Sequence, residues 1–149
     1  MHTIAEIFKN RVLICAMTSW FIAQALKVPI YYLVEHEFNW HRWLGSGGMP
    51  SSHTALVVSL AAMTGIQAGF DTAAFAVAFA LALIVMYDAA GVRRETGTQA
   101  VVINKILHDI LVDGKRITED ELKELIGHTP LEVFFGALLG LTVTGLFLL

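Results

Sequence analysis

The sequence predicts an all-α protein: an integral membrane helical bundle with about four transmembrane helices and one interfacial amphipathic helix. Composition is the first reason, because 56% of the 149 residues are hydrophobic and only 15% are charged, whereas soluble domains carry about 25% charged residues. The second reason is a set of long uncharged runs that suit the thickness of a bilayer. The predicted spans are about residues 12–34, 54–70, 72–88 and 130–148. By its length the chain is expected to form a single membrane-embedded domain, residues 1–149.

Charge and cysteine content exclude several functional classes. The net charge of −3 provides no basic surface for a nucleic acid. Cys15 is the single cysteine, so the chain can form neither an intrachain disulfide nor a cysteine-rich metal site. The hydrophobic composition instead indicates the lipid bilayer as the expected partner.

The first span contains an unusual charge. Residues 12–26 are uncharged, Lys27 follows, and apolar residues then continue to Val34 with a bend expected near Pro29. A lysine at membrane depth is costly, which predicts that Lys27 faces protein or a water-filled pocket. The structural alternative is that its ammonium extends to the lipid headgroups.

The stretch 47–54, Gly-Gly-Met-Pro-Ser-Ser-His-Thr, interrupts the apolar pattern just before the second span. Glycine allows backbone N–H groups to approach a ligand closely, and a helix start offers unpaired N–H groups with a positive dipole end. These features together predict an anion site, most naturally a phosphate site, near Gly48 and Ser52.

An amphipathic helix is predicted over residues 98–112, lying on the interface or on the bundle. Its apolar positions follow helical spacing: Val102, Ile103, Ile106, Leu107, Ile110 and Leu111.

The last span should begin with a capping box, in which Thr129 is the N-cap, Pro130 the first helical residue and Glu132 the third. Gly136 and Gly140, four residues apart, form a small-residue face that favours close helix packing in lipid.

Four spans place the loop 35–52 and the segment 93–128 on the same side of the membrane. That side holds seven basic residues outside the spans: Arg42, Arg93, Arg94, Lys105, Lys115, Arg116 and Lys123. The other side holds only Lys9 and Arg11. This bias favours the first side as cytoplasmic.

The motif Pro50-Ser51-Ser52-His53, followed by His128-x-x-x-Glu132 and the segment 136–140, resembles the type 2 phosphatidic acid phosphatase superfamily. That superfamily also contains bacterial acid phosphatases and vanadium haloperoxidases. The stretches 47–55 and 87–94 are similar to its small, divergent bacterial and plastid membrane branch. The resemblance covers roughly residues 27–140 and implies a bacterial cytoplasmic membrane as the location.

This sequence departs from the usual superfamily pattern in its first and second motifs. Lys27 and Arg42 are more widely spaced than in the usual first motif, and Ser52 stands where glycine is usual.

The third motif departs further. It is split, because over thirty residues separate Arg94 from His128, and Glu132 replaces aspartate.

The resemblance implies hydrolysis through a phosphohistidine without metal or cofactor. His128 would be the nucleophile, His53 the general acid that protonates the leaving alcohol, and Glu132 the group that orients and stabilises the His128 imidazole. Residues expected to bind the phosphoryl oxygens are Lys27, Arg42, one or both of Arg93 and Arg94, Ser52 and the backbone near Gly48.

Each of these residues also has a plain structural interpretation. His53 could be an interfacial histidine, His128 could simply precede a helix, and Glu132 could serve only as the capping-box acid. Arg93 and Arg94 could be positive-inside anchors.

The function that follows is a metal-independent membrane phosphatase acting on a phosphomonoester or diphosphate. A lipid substrate is expected, because the site is at the headgroup level. The alternative is a non-enzymatic membrane module that binds or transports an anion and has kept the pocket, and the split third motif is the reason to consider it.

Overall fold

The computed structural model describes residues 4–36, 48–91 and 129–149, together with the single positions 99, 101 and 103. Throughout these stretches the regular structure is helical. A short 3-10 helix, Ile4–Lys9, precedes the helices α1 (Arg11–Glu35), α2 (Ser52–Ala68), α3 (Ala73–Ala90) and α4 (Pro130–Leu146). The predicted amphipathic helix 98–112 lies outside the described residues except for Gln99, Val101 and Ile103, which are helical.

Helix α2 is central, since it packs against α1, α3 and α4. It runs antiparallel to α1, because Lys27 near the end of α1 meets Ser52 at the start of α2, while Cys15 near the start of α1 clusters with Met63. Helix α3 lies at the edge and contacts mainly α2.

Each of the four helices begins at a side chain that caps its first turn. The caps are Asn10, Ser51, Thr72 and Thr129, and each accepts a hydrogen bond from the backbone N–H three residues later. Helix α2 therefore begins at Ser52, two residues before the predicted start of the second span. The last helix begins with the predicted capping box, which is confirmed.

Helix α1 continues through Pro29. Proline removes one backbone hydrogen-bond donor, but the helix does not end there. The residues on both sides of Pro29 therefore belong to one helix, and Lys27 has a helical position within it.

The core has small and polar side chains, and the large apolar side chains lie outside. Fully buried residues include Cys15, Ser19 and Ser59, with Met63 as a large exception, whereas Phe79 and Ile84 are 48% and 66% exposed. Such a surface is unfavourable in water, but it suits lipid, where helices associate through small residues. Two helices, Arg11–Leu33 and Ala73–Ala90, are long and apolar enough to cross a membrane, and α4 is a shorter apolar helix. The fold class is confirmed as an all-helical bundle consistent with the membrane.

The small-residue face of α4 packs against α2. A Cβ atom on Gly136 would lie 2.5 Å from the Ser51 carbonyl oxygen, and one on Gly140 would lie 2.7 Å from the Ala55 oxygen. The order of these contacts shows that α2 and α4 run parallel. Their N-terminal ends therefore lie side by side.

Candidate phosphate site

The start of α2 is a buried polar structure. Ser51, Ser52 and Thr54 are each at most 1% exposed. The Ser51 hydroxyl oxygen accepts hydrogen bonds from the Thr54 backbone N–H at 3.4 Å and from the Thr54 hydroxyl at 3.0 Å. These bonds fix the first turn of α2 and explain why two hydroxyl side chains can be buried there without loss of hydrogen bonding.

The loop before Ser51 has the backbone geometry that its glycine predicts. Gly48 has φ +91°, a left-handed conformation that glycine adopts without strain. Apart from its chain neighbours, no atom of the described residues lies within 4 Å of a Cβ built on Gly48. The following Met49–Pro50 peptide bond is cis.

Lys27 enters this polar cluster from α1. The side chain is 2% exposed, and its Nζ atom donates a hydrogen bond of 3.4 Å to the Ser52 hydroxyl. The ammonium therefore lies inside the bundle instead of extending to the headgroups. A buried lysine costs free energy unless other groups compensate its charge, so this position is unusual for a residue with a purely structural role.

The start of α4 adjoins the start of α2. The Ser51 backbone N–H donates to the Glu132 carbonyl oxygen at 3.1 Å. In the capping box, the Glu132 Oε2 atom accepts from the Thr129 N–H at 3.3 Å, and the Thr129 hydroxyl accepts from the Glu132 N–H at 3.3 Å. The capping box therefore fixes the Glu132 Oε2 atom at the start of α4.

Two positive helix ends meet at this point. Gly136 brings α4 within backbone contact of Ser51, so the N-terminal dipoles of the two parallel helices add at the same end of the bundle. The Lys27 ammonium adds a further positive charge beside these two helix ends. A phosphate group is the type of ligand that such a region binds.

His53 differs from its two neighbours. Ser52 and Thr54 are buried, whereas His53 is exposed, because consecutive helical residues point about 100° apart. The imidazole is therefore near the Lys27–Ser52 pair in the chain but on the accessible side of α2. Its role as a general acid stays a prediction.

Comparison with known proteins assigns the chain to a family. The family model described as the Divergent PAP2 family matches residues 8–143. The chain belongs to the Divergent PAP2 family. The resemblance inferred from the motifs is thereby confirmed.

A relative in Bacillus subtilis (strain 168) has the name uncharacterized membrane protein YuiD. It is 41% identical over an alignment 149 positions long, which covers 93% of this chain and 94% of the relative. No solved structure matches the chain.

The Divergent PAP2 match includes several predicted site residues that the structure does not describe. Arg42, Arg93, Arg94 and His128 lie outside the described residues. Their roles stay predictions.

The described part brings Lys27, Ser52 and the backbone of Glu132 to one end of the bundle. Among the residues that the structure describes, no group of three or more His, Cys, Asp or Glu could hold a metal ion.

Two features of this site were not predicted from the sequence. The first is the role of Ser51. Ser51 carries the contacts to Thr54, Glu132 and Gly136, although only Ser52 was predicted to act.

The second feature is the polar character of the buried face of α1, which holds Ser19, Gln24 and Lys27. Ser19, Ala23 and Lys27 follow one another at a spacing of four residues, which places them on one side of a helix. That spacing is the sequence signal that indicates such a face.

Proposed function

We propose that this protein is a membrane phosphatase that hydrolyses a phosphomonoester or diphosphate of a lipid. The observation that carries the proposal is the buried Lys27 ammonium on the Ser52 hydroxyl, beside the paired N-terminal ends of α2 and α4. Membership in the Divergent PAP2 family supports the reaction class.

The proposed reaction has two steps. A ring nitrogen of His128 attacks phosphorus in line, the phosphorus–oxygen bond to the leaving group breaks, and His53 gives its proton to the departing alkoxide. Water then attacks phosphorus of the phosphohistidine while His53 takes a proton from that water. The phosphorus–nitrogen bond to His128 breaks, and inorganic phosphate leaves. Glu132 holds the His128 ring in the required tautomer and stabilises its positive charge.

The phosphoryl oxygens would be bound by Lys27, Ser52 and the backbone near Gly48. Arg42 and one or both of Arg93 and Arg94 would supply further positive charge. Because these groups can neutralise the charge that develops in the transition state, the proposed mechanism needs no metal or cofactor.

The proposal includes the type of substrate and the membrane in which the protein is located. The site lies at one end of a membrane bundle, at the depth of phosphate headgroups, which favours a lipid substrate. The bias of Lys and Arg favours the cytoplasmic side of a bacterial cytoplasmic membrane, and the relative in Bacillus subtilis, a membrane protein, supports a bacterial membrane.

Phosphate release in detergent with a metal chelator tests the proposal. The substrates are phosphatidic acid, phosphatidylglycerophosphate and a polyprenyl diphosphate, and we expect at least one to be hydrolysed. His128→Ala should abolish turnover, whereas His108→Ala, a control histidine with no predicted role, should not change it.

Two outcomes would contradict the phosphatase. If the His128→Ala variant releases phosphate as fast as the wild type, His128 is not the nucleophile. If the wild type binds vanadate tightly but hydrolyses none of the three lipids, the anion-binding or transport module is the better description.

A further inference from the structure

A second polar region lies at the opposite end of the bundle. A groove of about 540 Å³ separates the N-terminal segment from the end of α2, and its polar lining consists of Glu6, Lys9, Asn10, Arg11, Thr64 and Gln67. From Arg11 to Lys27 helix α1 rises about 24 Å, which is comparable with the hydrocarbon core of about 30 Å. The groove therefore lies at the headgroup level of the opposite leaflet.

The charged side chains of the groove favour an anion. Lys9 and Arg11 provide two positive charges and Glu6 one negative charge, so the described part of the lining has a formal net charge of +1. Lys9 and Arg11 are exposed. Their cationic groups can therefore reach a ligand that enters from the membrane surface.

Arg11 is held in place by the end of α4. Its Nη2 atom donates a hydrogen bond of 3.0 Å to the Phe147 carbonyl oxygen, at the C-cap of that helix. A guanidinium has five N–H donors in one plane. The contact with Phe147 therefore fixes the orientation of the group while other donors can still bind a phosphate.

The segment that carries Lys9 also has an apolar side. Ile7 and Phe8 are 53% and 77% exposed. They belong to a short helix next to a membrane span. At the interface such side chains insert among acyl chains. A ligand with both a negative headgroup and an apolar tail matches this combination.

We propose that the groove binds the anionic headgroup of a phospholipid, with its phosphate between Lys9 and Arg11. The ligand chemistry is a phosphate ester, which could come from a lipid or from a soluble compound. The exposed Ile7 and Phe8 favour the lipid. This site is independent of the proposed phosphatase site, since about 24 Å of helix separates them.

Native mass spectrometry of the full chain in detergent tests the proposal with phosphatidylglycerol and, separately, glycerol 3-phosphate. Phosphatidylglycerol should bind and glycerol 3-phosphate should not. Lys9→Gln should weaken lipid binding about two- to fivefold, the range for one exposed charge pair. Glu6→Gln should strengthen it by a similar factor, because the competing carboxylate is removed.

Asp71→Asn is the matched control for Glu6→Gln. Asp71 is an exposed acid in the turn at the same end of the bundle, and it does not line the groove. This variant changes the total charge equally and should leave lipid binding unchanged.

Three results would overturn the proposal. An equal effect of Glu6→Gln and Asp71→Asn would show diffuse surface charge instead of a site. Equal affinity for glycerol 3-phosphate and the lipid would assign the groove to a soluble phosphate ester. Unchanged binding by Lys9→Gln would exclude the groove altogether. None of these measurements depends on phosphate release, so they do not test the phosphatase.

Discussion

The helix starts at the candidate site, those of α2 and α4, use the same type of cap in opposite surroundings. At α2 the cap residue Ser51 and its neighbour Ser52 are buried beside Lys27. At α4 the cap residue Thr129 is exposed, and Glu132 is half-buried. The two starts are joined by the Ser51 N–H bond to the Glu132 carbonyl oxygen.

The difference suggests a division of roles. A buried start keeps its charge and hydrogen-bond donors fixed in a low-dielectric environment, where they interact strongly with an anion. An exposed start leaves room for a substrate headgroup and for side chains that must exchange protons with water. Because Gly136 holds the two starts together, changes on either side should have distinguishable effects.

The largest effect is expected from Lys27→Met, which removes the ammonium beside the buried start of α2. If Lys27 binds the phosphoryl group, phosphatase activity should fall about 10² to 10³-fold, as when one preorganised transition-state donor is lost. The unfolding temperature should change little, because methionine is about as long as lysine and fills nearly the same space. Phosphate release and thermal unfolding are the two measurements.

Ser19→Ala is the control on the same buried face of α1. Ser19 is 0% exposed, and within the described part of the chain its hydroxyl has no hydrogen-bond partner. Its removal should therefore change neither activity nor stability by much. A Lys27→Met protein that unfolds at a lower temperature and keeps its activity would mean that Lys27 is structural.

The next effect is expected from Gly136→Ala, which separates the two starts. The new Cβ would lie 2.5 Å from the Ser51 carbonyl oxygen, and this backbone atom can move only with the whole first turn of α2. Overpacking of this kind costs about 1–3 kcal/mol, and a shift of about 1 Å in the site could lower activity about 100-fold. Urea unfolding and phosphate release measure both effects.

Gly145→Ala provides the comparison for Gly136→Ala in the same helix. Apart from its chain neighbours and the backbone of α4, no atom of the described residues lies within 4 Å of a Cβ at Gly145. The substitution should therefore stabilise α4 slightly through the higher helix propensity of alanine. Equal behaviour of the two variants would contradict the close contact at Gly136.

The smallest effect is expected from Thr129→Ala, which removes the cap of the exposed start. Loss of an N-cap costs about 1 kcal/mol, and activity should fall a few-fold, because the capping box also orients Glu132. Thr72→Ala is the matched control, since Thr72 caps α3 with the same 3.3 Å bond far from the site. It should lose at least as much stability, because the Thr72 hydroxyl also donates to the Gly69 carbonyl oxygen at 2.8 Å, and it should keep full activity. Parallel loss of activity in both variants would leave Glu132 without a special role.

Local patterns in the sequence were sufficient to predict the class of fold and the ends of several elements. Uncharged runs predicted membrane helices, and the capping box at Thr129–Glu132 was confirmed, because local hydrogen bonding and transfer to lipid depend on neighbouring residues. The ordered set of motifs, from Pro50–His53 to His128-x-x-x-Glu132 and the segment 136–140, also indicated the family, which the family model confirms.

Which of these residues meet is a property of helix packing. Lys27 was expected to face protein or water, but its contact with Ser52 depends on how α1 packs against α2. Gly136 was expected to pack against a helix, yet only the folded bundle identifies Ser51 as its neighbour. These contacts join residues far apart in the chain, and their energies depend on shape and burial that no local pattern contains.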